Sequence, residues 1–294
     1  MSGPVAGRTA LVTGAAGGIG RATALAAARR GAAVVLTDVQ PEPLAATAAE
    51  VARRGGRVLA EEPLDLTDYG AVVAFADAVH ASSGSVDVVM NVAGVSAWGP
   101  VDGLAHEHWR RMVEVDLMAP ISVIEAFVPA MIDAGRGGHI VNVSSSAGLL
   151  GLPWHAAYSA AKFGLRGVSE VLRFDLEPHR IGVSLVCPGA VDTPLVDTVE
   201  IVGVDRDHPA ARRLTERFRR HAVSAERVGE VIVDAVEHGR YLVFTSRDVR
   251  ALFALQSLCP PLYRLAMRRL GRELRAVAAE AALADADRNS LSRP

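Results

Sequence analysis

Tyr158 and Lys162 stand four positions apart in an alanine-rich, helix-prone stretch, so on a helix they share one face. A tyrosine exchanges protons near neutral pH only if its pKa falls from about 10, and a neighbouring ammonium lowers that pKa. Among the 31 lysine and arginine residues, Lys162 is the only lysine. This indicates a position at which arginine, with its planar guanidinium, cannot replace lysine. The pair predicts proton exchange with an oxygen atom; an ordinary amphipathic helix pair is the alternative.

A cluster of serines lies upstream, with Ser145 thirteen positions before Tyr158. A hydroxyl at a strand end can donate a hydrogen bond to an oxygen held beside the tyrosine, whereas turn formation is the alternative role of such a serine. Strand alternation directs Ser144 and Ser146 away from Ser145. Ser145 is therefore the candidate for orienting the reacting oxygen.

The first predicted strand runs into a glycine-rich turn that opens the first predicted helix. Gly14 allows a tight turn, Gly18 lets the backbone approach a pyrophosphate, and Gly20 permits close packing of helix on strand. The first N–H groups of the helix and its dipole favour phosphate binding. The turn reads Thr13-Gly14-Ala15-Ala16-Gly17-Gly18-Ile19-Gly20.

Asp38 ends the second predicted strand, 18 residues after Gly20. A carboxylate there can accept hydrogen bonds from ribose hydroxyls and repels a 2′-phosphate, so NAD is the predicted cofactor rather than NADP. No arginine stands before Gly18 in the turn or directly after Asp38 to bind that phosphate. The alternative is a solvated loop aspartate.

These residues need a scaffold in which strands and helices alternate. Such alternation implies β–α–β units with right-handed crossovers. We predict an α/β, Rossmann-type, doubly wound parallel sheet flanked by helices, as a single domain with a helical C-terminal extension. The predicted strands are 10–13, 33–37, 86–91, 139–144, 182–187 and 240–245, and the predicted helices are 19–30, 41–54, 69–82, 106–134, 158–177 and 224–238.

Residues 1–245 are predicted to form the dinucleotide-binding catalytic domain, and residues 246–294 the extension. Within the domain, residues 195–222 interrupt the alternation and predict a lid over the carboxyl edge of the sheet. In the extension, residues 263–280 are arginine-rich and amphipathic. We favour a helix that packs on its own subunit or across a dimer over one that lies on an anionic membrane surface.

The composition excludes several classes of protein. Half of the residues are hydrophobic and the net charge is −2, which does not indicate disorder or nucleic-acid binding. The two cysteines, Cys187 and Cys259, lie too far apart for a CxxC metal motif, and so few favour a reducing cytosol. The first seven residues are too short for a signal peptide, and no uninterrupted apolar run suggests a membrane span. A cytoplasmic location is expected.

Six motifs in order give the chain a resemblance to the short-chain dehydrogenase/reductase family, as distinct from its extended branch of nucleotide-sugar enzymes. The resemblance covers about residues 7–245. The motifs are the glycine-rich turn, Asp65-Leu66, Asn91-Val92-Ala93-Gly94, Asn142-Val143-Ser144-Ser145, Tyr158-x-x-x-Lys162 and Pro188-Gly189-x-Val191-x-Thr193.

The resemblance implies an NAD(P)-dependent oxidoreductase acting on CH–OH groups, with Ser145, Tyr158 and Lys162 as catalytic residues. Two positions depart from the family pattern: Val92 replaces an asparagine, and Asp116 replaces an asparagine that supports a proton-relay water. We expect Asp116 to keep the relay by accepting from water or Lys162. The implied cofactor-binding residues are Gly14, Gly18, Ile19, Gly20, Asp38, Asp65, Leu66, Asn91, Ala93, Gly94, Tyr158, Lys162, Pro188, Gly189, Val191 and Thr193.

The expected pocket walls are residues 95–98, 149–155 and 190–191 and the lid from Leu195, which are mainly apolar. They favour a hydrophobic secondary alcohol or ketone as substrate. His155 either contacts that substrate or only packs near the loop. The resemblance further implies a homodimer or homotetramer. A membrane-associated lipid or steroid dehydrogenase and a non-catalytic dinucleotide-binding regulator are the alternative functions.

Overall fold

The computed structural model describes residues 4–205 and 208–291. Its central sheet has seven strands, all parallel where they pair. The strands are β1 (Thr9–Thr13), β2 (Ala33–Asp38), β3 (Arg57–Pro63), β4 (Val88–Asn91), β5 (Gly138–Val143), β6 (Ile181–Cys187) and β7 (Leu242–Phe244). Their order across the sheet is β7-β6-β5-β4-β1-β2-β3. Strands β1 to β3 follow one another toward one edge of the sheet, and strands β4 to β7 follow one another toward the other edge. A crevice therefore opens between β1 and β4 at the carboxyl ends of the strands.

Helices cover both faces of the sheet, which confirms the predicted doubly wound architecture. One hydrophobic core lies under α1, α2 and α9, and the other lies under α3, α5 and α6. The helices are α1 (Gly18–Arg29), α2 (Pro41–Arg53), α3 (Tyr69–Ser83), α4 (His106–Val113), α5 (Ala119–Ala134), α6 (Ala156–Asp175), α7 (Pro194–Thr198), α8 (Pro209–His221), α9 (Ala225–His238), α10 (Arg247–Leu258) and α11 (Pro260–Leu291).

The sequence prediction missed β3, the strand at one edge of the sheet. Arg57, Glu61 and Glu62 of β3 are exposed, so the strand lacks the apolar run that marked the other six. Charged residues are typical of edge strands, because they discourage pairing with another chain. The six predicted strands are all present, with ends that differ by one or two residues.

The helix predicted over residues 106–134 is divided by one π-helical turn, Glu114–Met118. Single π-turns occur often at functional sites, and this one carries Asp116, which is completely buried. By length and mean hydropathy, the stretch His106–Ala134 could cross a membrane. However, α5 buries Phe127 and Met131 against the sheet, as the core helix of a globular domain does.

The segments after β6 build a cover over the carboxyl edge of the sheet. Two short parallel strand pairs tie this cover to loops of the core: Ala97–Trp98 with Glu200–Ile201, and Val191–Asp192 with Val223–Ser224. Helix α11 returns along α8, so the extension packs on its own subunit, as we favoured. Three short stretches lie outside the described residues: 1–3 in the predicted catalytic domain, 206–207 in its predicted lid and 292–294 in the predicted extension.

Candidate active site

The glycine-rich turn between β1 and α1 has the backbone shape that its sequence predicts. Gly14 and Gly18 have positive φ angles of 69° and 51°, which residues with a side chain rarely adopt. A Cβ atom on Gly20 would lie 1.9 Å from the carbonyl oxygen of Gly14. The turn therefore leaves a cradle of bare backbone at the start of a helix, the arrangement that fits a pyrophosphate.

Asp38 stands at the carboxyl end of β2, beside this turn. Its Oδ2 accepts a hydrogen bond from the backbone N–H of Ala16 at 3.0 Å, and its Oδ1 accepts one from Gln40 at 3.0 Å. Each carboxylate oxygen has a further lone pair for a ligand hydroxyl. Asp38 thus shapes the turn and has acceptor capacity for a ribose.

Thr13 has a role that the sequence analysis missed. Its Oγ1 accepts the backbone N–H groups of Val92 at 3.0 Å and Ala93 at 3.1 Å, which joins the end of β1 to the end of β4. A Cβ atom on Gly14 would lie 2.8 Å from the Cα of Ala93, so the two segments form one floor. A buried threonine ending a strand was the signal available in the sequence.

Asn91 supports the sheet from within. Its Nδ2 donates to Oδ1 of Asn142 at 2.9 Å, and Nδ2 of Asn142 donates to the Ser169 hydroxyl at 2.9 Å, so a buried chain of hydrogen bonds links β4, β5 and α6. Asp65 follows β3, where its Oδ1 accepts from the N–H and hydroxyl of Thr67. Its neighbour Leu66 is buried. Neither Asn91 nor Asp65 lines the apolar cavity beside Tyr158 that is described below.

The predicted segment after β6 lies across from the glycine turn. A Cβ atom on Gly18 would lie 3.3 Å from Cβ of Thr193. The two segments therefore enclose one cleft, which continues into the cavity described below. Of the predicted cofactor residues, those that line this cavity are Ile19, Gly94, Tyr158, Lys162, Pro188, Gly189, Val191 and Thr193.

Helix α6 places Tyr158 and Lys162 together. The Nζ atom of Lys162 lies 5.7 Å from the centre of the Tyr158 ring and donates to the carbonyl oxygen of Val143 at 3.1 Å. Ser145 lies beside Tyr158 and lowers the pKa of its phenol, while the Oγ of Ser145 accepts from the backbone N–H of Ala147 at 3.1 Å. Ser145 thus forms the predicted turn, and its position beside Tyr158 is the one that orientation of a reacting oxygen would need.

Asp116 lies in the π-helical turn and contacts Lys162 from there. Its Oδ1 lies 3.1 Å from Nζ of Lys162 and accepts the backbone N–H of Val95 at 3.2 Å. Its Oδ2 is buried without a hydrogen-bond partner in the described part of the chain. Burial raises the pKa of Asp116, and the charge of Lys162 opposes this shift. The aspartate thus accepts from Val95 and lies within hydrogen-bond distance of Lys162 at a buried position.

The pKa of Tyr158 differs from the expectation. Burial raises it, the ammonium of Lys162 lowers it, and the carboxylate of Asp116 raises it again, so the protein's own groups leave the pKa above its ordinary value. For Lys162, burial lowers the pKa, but Asp116 and Tyr158 raise it by more, and the net shift is upward. Lys162 acts on Tyr158 as predicted, but its effect is outweighed by burial and Asp116.

An apolar cavity of about 350 Å³ opens beside Ser145 and Tyr158. Each predicted wall contributes in part, whereas most of residues 149–155 lie away from the cavity. The lining residues from the predicted walls are Val95, Ser96, Trp98, Leu152, His155, Ala190, Val191 and residues of the lid from Leu195 onward. Part of its roof belongs to the predicted lid, and the part that comes from the C-terminal extension was not predicted. The roof residues come from two helices that are far apart in sequence: Leu214, Thr215 and Phe218 of α8, and Leu270 and Leu274 of α11.

The exposed sides of the two roof helices are joined by ion pairs. Arg213 pairs with Glu280 at 2.7 Å, and Arg217 pairs with Glu273 at 3.1 Å. The spacing of Leu270 and Leu274 on α11, one helical turn, was the signal in the sequence for a buried face. Part of the arginine-rich extension therefore closes the cavity of its own subunit.

The sequence model of the short chain dehydrogenase family matches residues 8–201. The oxidoreductase EphD of Mycobacterium tuberculosis is 35% identical over 261 residues, which are 87% of this chain. The chain spans only 44% of the length of that relative. The 1-deoxy-11-beta-hydroxypentalenate dehydrogenase of Streptomyces exfoliatus is 37% identical over 247 residues, covering 83% of this chain and 84% of that protein.

Solved structures agree with the family match. A short chain dehydrogenase/reductase from Burkholderia phymatum, crystallised in complex with NAD, has a TM-score of 0.79 and 30% identity, covering 88% of this chain and 96% of that one. Other similar solved structures hold NAD or NADP. The match over two thirds of the chain confirms the resemblance seen in the motifs: the chain belongs to the short-chain dehydrogenase family of oxidoreductases.

Proposed function

We propose that this protein is an NAD(H)-dependent oxidoreductase that interconverts a hydrophobic secondary alcohol and its ketone. The observation that carries the proposal is the position of Tyr158. Its side chain, with Ser145, lines an apolar cavity that also borders the glycine turn at Ile19 and the facing segment at Thr193. A reacting carbon in the cavity thus lies between an acid–base group and a dinucleotide site.

The residues around the turn fit NAD, because only bare backbone occupies the cradle next to Gly14 and Gly20. When bound, NAD supplies the hydride chemistry and, in its oxidised form, a positive ring that lowers the pKa of a nearby phenol. Asp38 would accept from the adenosine ribose, and Lys162 would donate to the other ribose. The carboxylate of Asp38 disfavours the 2′-phosphate of NADP.

The proton chemistry belongs to three side chains. During alcohol oxidation, the Tyr158 phenolate accepts the hydroxyl proton of the substrate, and during ketone reduction the phenol returns it. The hydroxyl of Ser145 donates a hydrogen bond to the same substrate oxygen. Lys162 stabilises the phenolate, and Asp116 acts as a positioning residue that fixes Nζ of Lys162 between itself and Val143.

The cavity walls favour a hydrophobic substrate over a sugar. Among the relatives, the name of the 1-deoxy-11-beta-hydroxypentalenate dehydrogenase gives a substrate with a hydroxyl group and a carboxylate, which supports an alcohol substrate without supporting a fully apolar one. A lipid or steroid substrate drawn from a membrane would use the same chemistry. The intact group of Ser145, Tyr158 and Lys162 argues against a regulator without activity.

A panel of hydrophobic secondary alcohols and ketones, assayed at the NADH absorbance band with NAD(H) and NADP(H), tests the proposal. We expect turnover that Tyr158→Phe abolishes, and a preference for NAD(H) of about tenfold or more, since like charges near 4 Å repel by about 1–4 kcal/mol. Faster turnover with NADP(H) would contradict the role of Asp38. Absence of turnover across the panel would support the regulator instead.

The proposal includes a homodimer or homotetramer in the cytoplasm. Several large apolar side chains are exposed along the π-helical turn and α6, which is unusual for a surface that no partner covers. Light scattering of the purified protein measures the assembly. These side chains are Met118, Phe163, Val171 and Phe174.

A further inference from the structure

His155 forms a polar point on an otherwise apolar part of the cavity wall. Its ring packs on Trp98, with ring centres 4.5 Å apart, and lies 6.5 Å from the ring centre of Tyr158. The indole N–H of Trp98 donates to the Ser96 hydroxyl at 2.7 Å, so Trp98 offers the cavity no free donor. His155 thus lines the cavity between Trp98 and Tyr158.

One ring nitrogen of His155 has a fixed role. Its Nδ1 lies 2.7 Å from the carbonyl oxygen of Pro153. A carbonyl oxygen only accepts, so Nδ1 carries the hydrogen atom. Burial lowers the pKa of His155, against a smaller opposing effect of the Pro153 hydrogen bond, and this favours the neutral ring. In the neutral ring with hydrogen on Nδ1, the other nitrogen, Nε2, is a hydrogen-bond acceptor.

Among the described residues, no protein group hydrogen-bonds to Nε2 of His155. An acceptor that loses water to an apolar ligand without gaining a donor is penalised, whereas a ligand with a donor restores the bond. The cavity wall therefore favours a substrate that places a hydrogen-bond donor at Nε2 over one that places an apolar group there.

We propose that Nε2 of His155 accepts a hydrogen bond from a second hydroxyl group of the substrate. The preferred substrate is then a diol or a hydroxyketone on a hydrophobic skeleton. This inference rests on the proposed function, since it names the substrate class of the same cavity. A structural role for His155, limited to its bond with Pro153, is the competing explanation.

Matched variants separate the two explanations, because glutamine and asparagine each imitate one nitrogen of the ring. His155→Gln places an amide oxygen near the position of Nε2, His155→Asn keeps a donor near Nδ1 for Pro153, and His155→Phe keeps only the packing on Trp98. The probes are cyclohexanol and the cis and trans cyclohexane-1,2-, 1,3- and 1,4-diols, assayed with NAD⁺. We expect wild type to favour at least one diol over cyclohexanol by about tenfold in kcat/KM.

The same preference, measured as the ratio of kcat/KM for the diol to kcat/KM for cyclohexanol, should persist in His155→Gln and vanish in His155→Asn and His155→Phe. Equal rates on cyclohexanol and every diol in wild type, or a diol preference that His155→Phe retains, would overturn the inference. Rescue by His155→Asn alone would establish the structural role and likewise overturn it.

A second readout keeps the inference testable without turnover. In the protein–NAD⁺ complex, a long-range ¹H–¹⁵N spectrum, assigned by comparison with His155→Phe, should show a neutral ring with hydrogen on Nδ1. Saturating diol should shift the Nε2 resonance more than cyclohexanol does. If no alcohol yields NADH, the proposed function fails by itself, and the Nε2 shift then decides the inference: an unmoved resonance refutes it.

Discussion

Replacing Asp116 by asparagine tests whether the buried pair with Lys162 is charged. The two side chains are 0% and 5% exposed and their polar atoms lie 3.1 Å apart. Removing one partner of such a pair costs about 3–5 kcal/mol, because the other charge stays buried alone. An amide oxygen can still accept from Lys162 and Val95, so we expect the lower end, about 3 kcal/mol.

In a thermal melt this loss corresponds to about 6–12 °C, at about 2–4 °C for each kcal/mol. Glu273→Gln is a matched control, since it breaks an ion pair with Arg217 whose side chains are 61% and 52% exposed. Pairs of that kind contribute under about 1 kcal/mol, so the control should melt close to wild type.

The same substitution should move the pH profile of alcohol oxidation. The Asp116 carboxylate raises the pKa of Tyr158, so its removal lowers that pKa. The phenolate then forms at lower pH, and the rising limb of kcat/KM shifts toward acid. At the optimum, activity should stay within about tenfold, because the amide keeps the acceptor. A variant that melts like wild type with an unmoved pH limb would refute the reasoning, since it would show that Asp116 is already neutral.

Two further predictions concern the turn and the core. Gly20→Ala should weaken NADH binding in a fluorescence titration by about 10–100-fold, because its Cβ atom would overlap the Gly14 carbonyl, whereas Gly17→Ala meets no protein atom within 4 Å and should bind normally. Burial lowers the pKa of His139 to about 4. The unfolded chain therefore binds a proton below about pH 6.5 that the folded chain binds only near pH 4, so stability falls as the pH falls through this window. Urea unfolding at pH 7 and pH 5 should show a loss of about 2 kcal/mol in wild type that is absent in His139→Gln; equal losses in both proteins would contradict it.

Much of the fold was predictable because buried parallel strands carry uniform apolar runs. Strand β2, for example, begins with the apolar run Ala-Val-Val-Leu, and its four central residues are buried. The edge strand β3 was not predictable by that signal, since its charged residues resemble a loop. The division of the long helix at Glu114–Met118 also escaped, because a π-turn leaves no periodicity of its own over five residues.

The grouping of Ser145, Tyr158 and Lys162 around one cavity was predictable from spacing along one helix and one strand end. The pKa shifts of these side chains were not predictable from the sequence. The net direction of the Tyr158 pKa depends on burial and on Asp116, which stands more than forty residues earlier and reaches the site only through the fold. The roof leucines of α11 were missed for the same reason, because sequence periodicity shows that a face is buried without showing what it covers.

The cavity roof has an evolutionary consequence. The family match ends at residue 201, and the turn, Ser145, Tyr158 and Lys162 all precede that point, whereas α8 and α11 follow it. The part of the cavity wall formed by α8 and α11 is thus encoded apart from the turn, Ser145, Tyr158 and Lys162. Exchange of the last third of the chain would reshape the roof of the cavity and leave these residues and the wall at His155 in place.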